Sequence, residues 1–430
     1  MTTHTADSQR ALFLANRLPW PLVDGWTRRT FHVIRQLALK WPVHVIVLSD
    51  GDPVRLREAQ VALGSSVTVQ SIRRRPFRRL RGLFGSVVRN RPFHVAADTD
   101  ADFTRAVGAF LRSNDVALIG CAGVNMAGYF SLDTQHRALH LVDTHNIDSL
   151  VVDRFASLAK DPLRRAFLTL AAPQMRTWEQ QVFADADLVI VCSDSEIPLA
   201  RGLAPAAAVH CIPNGADVDQ LPPRPATTMS VGAARLLFFG RLDYFPNLDA
   251  LEFLQASMLD ELRRRLPGFR LRIVGAGDTA PIAALFRDVP EVEVVGFVDS
   301  IGDELQAADA VLVPLRTGGG TRLKILEAMA AGRPVISTTI GAEGIDATDG
   351  VDILLRDEPS AFVTAVESVI ADRATADRLG AAARETIIAK YSWDGIGANL
   401  RRLVEETLRD APESAGVIGS DSGRAAPALN

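Results

Sequence analysis

Short apolar runs punctuate the first half of the chain: ALFLA (11 to 15), VHVIVL (43 to 48), VALIG (116 to 120), LHLVD (139 to 143) and DLVIVC (187 to 192). Longer stretches of helical periodicity separate them. Buried strands alternating with helical segments predict parallel sheets joined by crossover helices. A second series follows: RLLFFG (235 to 240), FRLRIVG (269 to 275), VEVVGF (292 to 297), AVLVPL (310 to 315), PVIS (334 to 337) and ILL (353 to 355). Between the two series lies ADVDQLPPRPATTMSVGA (216 to 233), whose paired prolines, small polar residues and weak periodicity predict a linker. The pattern therefore predicts an α/β protein of two doubly wound, Rossmann-like domains, residues 11 to 215 and 234 to 390, after a short tail over 1 to 10.

In YSWDGIGANLRRLVEETLRD (391 to 410), Ile396, Leu400, Leu403 and Leu408 fall near helical spacing, with Ser392 or Asp394 placed to cap the start. This helix can cross back to the first domain. The residues beyond it, 411 to 430, are small, polar and proline-containing, and read as disordered. At 430 residues with 47% apolar and 23% charged positions, the chain has enough length for two cores. Its formal net charge of -4 gives no whole-chain attraction to nucleic acid, so any basic surface must be local. Cys121, Cys192 and Cys211 are too few and too irregular for a disulfide framework or a zinc site, and read as buried thiols in a reducing compartment. The N-terminus lacks the order of a signal peptide and no apolar run reaches the roughly 18 residues of a membrane span, so the expected location is cytoplasmic.

The segment PLRTGGGTRLKILEAMAAGRPVIS (314 to 337) carries the most chemistry. A buried strand ends at Leu315, and Gly318, Gly319 and Gly320 follow. Thr321 can cap a helix from Arg322 to Ala331, which Gly332 and Pro334 stop. Open parallel sheets bind ligands beyond the carboxyl ends of their strands, and a helix N-terminus behind a glycine loop offers N–H groups to a phosphate. Lys324 places a positive charge in the first turn, where the helix dipole disfavours it, and so calls for an anionic partner. Glu327 shares its helix face, either as half of a solvated Lys-Glu pair or as a carboxylate accepting ligand hydroxyls.

On these residues, together with LLFFGRLDYFPNLDAL (236 to 251), IVGAG (273 to 277), VEVVGFV (292 to 298), AADAVLVPL (307 to 315) and YSWD (391 to 394), the chain resembles the retaining glycosyltransferases of family 4 over residues 10 to 395. The resemblance implies the GT-B fold, with a cleft separating its two domains, and transfer of a sugar from a nucleotide-diphosphate sugar to a hydroxyl acceptor with retention of configuration. It implies that Arg241 contacts the donor diphosphate. Pro246 stands where the family commonly has a second basic residue, and Lys324 is the candidate replacement. Of the family's paired glutamates Glu327 remains, as the expected ribose ligand, and Gly319 occupies the place of the first. Gly240, Gly318, Gly319, Gly320, Thr321 and Arg322 complete the implied donor site, and Gly296, Phe297 and Val298 its nucleoside-base region.

In the first half, LPWPLVDGWTRRT (18 to 30) resembles the family's glycine loop, with Gly25 at the donor and Arg28 or Arg29 as the basic follower. VDTHNIDS (142 to 149) places His145 where the family has a histidine facing the donor sugar, with Asp143 available to orient it. Fixed cations and N–H donors can stabilise a departing diphosphate without a metal, so no essential metal or other cofactor is expected. The Asp-x-Asp triplets at 98, 185 and 217 lie away from the glycine loop. The run SIRRRPFRRLRGLFG (71 to 85) sets Arg73, Arg74, Arg75, Arg78, Arg79 and Arg81 among apolar residues, a composition suited to an anionic membrane surface or a polyprenyl-diphosphate-linked acceptor, or else to a solvated or RNA-contacting basic loop. The expected acceptor is a lipid-linked or cell-envelope glycan, and the expected location peripheral at the inner face of the membrane. Two other readings stand beside transfer: a GT-B protein that binds nucleotide sugars without turnover, and an NAD-dependent oxidoreductase suggested by Gly275-Ala276-Gly277.

Overall fold

The computed structural model describes residues 9–74, 82, 85–86, 91–135, 138–158, 161–223, 234–318 and 321–410. The chain divides into two compact units, Met1–Ile212 with Gly397–Asn430, and Pro213–Ile396. Each is a doubly wound parallel sheet carrying helices.

The first unit contains β1 (Arg10–Ala15), β2 (Val43–Ser49), β3 (Val67–Arg73), β4 (Val116–Ala122), β5 (Leu139–Asp143), β6 (Leu188–Val191) and β7 (Val209–Cys211), in the spatial order β3-β2-β1-β4-β5-β6-β7. Every pairing is parallel. Central strands buried on both faces need continuous apolar runs, and Ala11 to Ala15 and Val116 to Ala122 are buried throughout. Two strands escape the sequence pattern, and both lie at the rims. In β3 buried and exposed positions mix, because one side of an edge strand meets solvent. Strand β7 has only three residues.

The second unit contains β8 (Arg235–Phe239), β9 (Arg270–Val274), β10 (Val292–Gly296), β11 (Ala310–Val313), β12 (Val335–Ser337) and β13 (Leu354–Leu355), ordered β10-β9-β8-β11-β12-β13 and again parallel. Its core extends into the segment read as a linker. Ala216 and Leu221 are buried in it, and the Arg384 guanidinium donates to the Leu221 carbonyl at 2.6 Å. Residues 224 to 233, like the tail 411 to 430, lie outside the described residues.

The last helix runs from Trp393 to Asp410, and the Ser392 hydroxyl accepts from the Gly395 N–H at 3.4 Å as its cap. From Gly397 onward it belongs to the first unit. Arg401 there donates to the Gln36 carbonyl at 3.3 Å, and a Cβ on Gly397 would lie 2.0 Å from the Gln36 side-chain oxygen. Only glycine allows this approach with Gln36 in place.

Candidate functional site

In both units the strand order reverses beside the first strand, between β8 and β11 in the second. The crevice beyond the carboxyl ends of the strands at such a point is where open α/β sheets receive ligands. Strand β8 leads there into Gly240 and Arg241, β9 into Gly275, and β11 into the loop ending at Gly318.

Glycine is required where these loops meet. Gly240 has φ +141° and Gly275 φ +152°, and a Cβ on Gly275 would stand 1.8 Å from the Gly240 carbonyl oxygen. Gly277, at φ +117°, presses against Asp243 in the same way. The glycines of Gly275-Ala276-Gly277 thus serve to join the β8 and β9 loops, and the helix after them, Ala280–Leu285, has only six residues. That local structure removes the motivation for the dinucleotide reading.

Asn247 connects the two cations. Its side-chain nitrogen donates to the Arg241 carbonyl at 2.6 Å, and its side-chain oxygen accepts from Lys324 Nζ at 2.6 Å. Asn247 is buried in the first turn of the Phe245–Ser257 helix, beside Pro246, whose missing N–H costs nothing at a helix start. The Arg241 guanidinium is exposed and held by Asp243 through two hydrogen bonds of 2.6 and 2.9 Å.

The helix after the glycine loop runs from Leu323 to Ala330, a residue shorter at each end than expected. Arg322 occupies its N-cap position without a side-chain capping bond, so Thr321 does not cap it; Thr321 is buried one residue earlier. The Arg322 guanidinium lies over Gly318, where a Cβ would come within 2.9 Å of it. Lys324 is not half of a solvated pair. Its Nζ sits 4.4 Å from the centre of the Phe238 ring, and Glu327 is buried on the next turn. Burial, followed by the nearby Arg322 charge, lowers the Lys324 pKa to about 7, and the Glu327 charge partly opposes this. Of the expected donor residues, Gly319 and Gly320 lie outside the described set. Gly296 ends β10 at φ +83°, followed by an exposed Phe297 and a half-buried Val298.

In the first unit, Asp24 caps the Gly25–Ala38 helix through Thr27, leaving Gly25 exposed at its first position. The same carboxylate holds Arg17 at 2.8 and 3.0 Å, and the Arg17 guanidinium lies 4.4 Å from the centre of the Trp26 ring. Trp26 in turn stacks on His145, with centroids 5.7 Å apart and planes 26° from parallel. His145 follows the end of β5, and its backbone carbonyl accepts from the Cys192 thiol. Its Nε2 is buried and has no hydrogen-bond partner among the described residues. Leaving such a group unsatisfied costs about 1–3 kcal/mol. Burial, then Arg29 and Arg17, hold the His145 pKa well below that of a free imidazole, so the ring is neutral near pH 7.

Arg29 does not face a phosphate. Its Nε donates to Asp143 at 2.7 Å and an Nη to the Ile212 carbonyl at 2.8 Å, and both members of the pair are fully buried. Asp143 is thereby committed to Arg29 rather than to orienting His145. Arg28, the alternative follower, is half-buried. Of the basic run, Arg73 closes β3 and Arg74 donates to the Asn16 carbonyl, whereas Arg75, Arg78, Arg79 and Arg81 lie outside the described residues. Three of the Asp-x-Asp carboxylates have structural duties: Asp98 accepts from Asn16 and Asn125, Asp100 caps the Ala101–Ser113 helix, and Asp187 accepts from the His140 N–H.

Against known proteins, residues 233–372 match the family model described as glycosyl transferases group 1. This matched stretch, about a third of the chain, is what is similar to the group 1 glycosyltransferases. The matched residues include Arg241, Asn247, Lys324 and Glu327. The chain is 31% identical over 251 residues to the GDP-mannose-dependent alpha-(1-6)-phosphatidylinositol monomannoside mannosyltransferase of Mycobacterium tuberculosis, covering 53% of this chain and 64% of that one. It thus spans somewhat under two thirds of that relative's length. Its fold matches sucrose-phosphate synthase from Thermosynechococcus elongatus with a TM-score of 0.72 at 19% identity, over 93% of this chain and all of the other. Anabaena Alr3699/HepE, in complex with UDP and glucose, matches with a TM-score of 0.65 at 16% identity, over 93% of this chain and all of that one. Two Rossmann-like units of the GT-B type are therefore the fold. Asn247, Phe238, Arg17 and Trp26 were not singled out from sequence, although Asn247 stands in DYFPN and Trp26 directly follows the loop glycine.

Proposed function

We propose that this protein transfers a glycosyl group from a nucleotide-diphosphate sugar to a hydroxyl acceptor. The observation that carries the reading is Asn247, which ties the Arg241 backbone to the Lys324 ammonium at the sheet's switch point, inside the stretch similar to the group 1 glycosyltransferases. A diphosphate is the ligand that two cations and a helix start suit best. As the bond from the sugar C1 to the phosphate oxygen breaks, negative charge grows on the departing diphosphate, and Arg241 and Lys324 stabilise it. A hydroxyl oxygen of the acceptor bonds to C1 on the same face, and its proton passes to the departing phosphate. This front-face route retains the anomeric configuration. Glu327 accepts donor ribose hydroxyls, Phe297 with Gly296 and Val298 meets the base, and the neutral His145 faces the sugar.

Because the charge is met by side chains, the transfer needs no essential metal. The test is a screen of nucleotide sugars against lipid-linked acceptors, with and without EDTA. We expect one donor to raise the melting temperature and be consumed at the same rate in both conditions. Activity abolished by EDTA and restored by a divalent ion would overturn the metal-free route. Donor binding without turnover on any acceptor would favour the inactive nucleotide-sugar-binding reading instead.

The acceptor in this reading is a lipid-linked glycan, such as a polyprenyl-diphosphate-linked one, reached at an anionic membrane surface on the cytoplasmic side. Three observations support it. The arginine-rich run 71 to 85 interleaves cations with apolar residues, the relative named above acts on a phosphatidylinositol mannoside, and the three cysteines are free thiols. No helix of the described residues is long and apolar enough to cross a membrane. The triple variant Arg74→Glu, Arg75→Glu, Arg78→Glu is expected to lose sedimentation with phosphatidylglycerol vesicles. Undiminished sedimentation would count against the membrane surface.

A further inference from the structure

His145 has a backbone anchor and a buried, unpartnered Nε2, yet hydrogen bonds alone do not fix the plane of its ring. What lies against that ring is Trp26. A large flat indole leaves a stacked imidazole little freedom to tilt, and it excludes water from the face it covers. The indole is itself restrained, because Arg17 packs on it in cation–π geometry and Asp24 grips Arg17 through two hydrogen bonds. Asp24 has a second task as the helix cap, with its carboxylate accepting from the Thr27 N–H at 2.9 Å. The position of His145 is thus referred back to the start of the Gly25–Ala38 helix through Asp24, Arg17 and Trp26.

We propose that Trp26 is a positioning residue, setting the plane of the His145 imidazole, with Arg17 and Asp24 holding the indole in place. The inference rests on the glycosyl-transfer reading for what His145 touches, but the placement of the ring stands on the geometry alone. A displacement of about 1 Å in a reacting geometry can cost on the order of 10²-fold in rate. Trp26→Leu is therefore expected to lower kcat by up to that factor while KM for the nucleotide sugar changes less than about threefold. Trp26→Phe, which keeps a flat ring against the imidazole, is expected to recover most of kcat.

A readout independent of turnover accompanies these rates: the protonation of His145 followed by NMR, with its signal assigned by loss in His145→Asn. The charged groups near the ring are Arg17 and Arg29, with Asp143 two residues before it paired to Arg29, and the Cys192 thiol on its carbonyl. In the wild type and in Trp26→Phe the imidazole should take up a proton only well below the pH at which a free imidazole does. In Trp26→Leu, water reaching the exposed face should let it take up a proton nearer the ordinary value of about 6.5. Identical titration in all three proteins overturns the inference, whether or not the wild type turns over a donor. A wild type that consumes no donor, combined with the expected change in titration, overturns the transfer reading and leaves Trp26 as the residue that positions the ring.

Discussion

Lys324→Ala should lower the rate of sugar transfer by about 10²- to 10³-fold, equivalent to about 2.7–4 kcal/mol, the usual effect of removing one donor that stabilises a developing oxyanion. The substitution is not expected to unfold the second unit. Lys324 Nζ makes one described hydrogen bond, to Asn247, and its removal exchanges a partly desolvated charge for a small apolar group in a helix. The loss should therefore appear in donor binding and rate with the melting temperature nearly unchanged. Transfer within a few-fold of wild type would show that Lys324 does not grip the diphosphate.

The same residue predicts a pH dependence with a definite sign. With its pKa lowered to about 7, Lys324 is largely charged at pH 6 and largely neutral at pH 8 in the free protein. An anionic donor binds the charged form, so affinity should be highest below pH 7. It should then fall by up to about tenfold per pH unit above 7 until the pKa of the complex is reached. Calorimetry in buffers of different ionisation enthalpy should register proton uptake on binding near pH 8. The stability linkage runs the other way. A lysine whose native pKa lies below its unfolded value of about 10.4 leaves the native state with fewer bound protons, so its contribution becomes more favourable as pH rises from 7 toward 10. Lys324→Ala should flatten both dependences.

Asp143→Ala should destabilise the first unit by about 3–5 kcal/mol, because it leaves the Arg29 guanidinium buried without its counter-charge. For a unit of this size that corresponds to a fall in melting temperature of roughly 6–20 °C. The double variant Arg29→Met, Asp143→Leu should recover much of the loss, since removing both charges removes the desolvation penalty of each. Thermal and urea unfolding distinguish these cases. A single variant within about 1 kcal/mol of wild type would mean that the pair carries little of the unit's stability. The Ile212 carbonyl accepts from Arg29 as well, so the variant also loosens the final strand region of that unit.

The two largest expected effects come from residues whose types are unremarkable in the chain and whose surroundings are not. Arginine at 29 lies in WTRRT, beside another arginine, and nothing local separates the one that is swallowed from the one that is half-buried. Their fates are decided by Asp143, 114 residues away. Lys324 and Glu327 have the spacing of an ordinary surface pair, yet Lys324 packs on Phe238 and bonds to Asn247, and Glu327 is buried.

What the sequence determined by itself is the architecture. Strands buried on both faces must be written as unbroken apolar runs, so the central strands, their parallel class and the two-unit organisation were readable from hydrophobic periodicity, as was the glycine loop behind β11. The position of Arg241 just after a strand and of Lys324 in the first turn of the helix behind the glycine loop followed from the same pattern. The tertiary structure decided the rest. Edge strands β3 and β7 are half-exposed or very short, which leaves no apolar run to read. Asn247 became the link between the two cations, and Trp26 the neighbour of His145, only once segments distant in sequence were brought together within each unit. Periodicity records which side of an element is buried, and it carries no information about which distant partner does the burying.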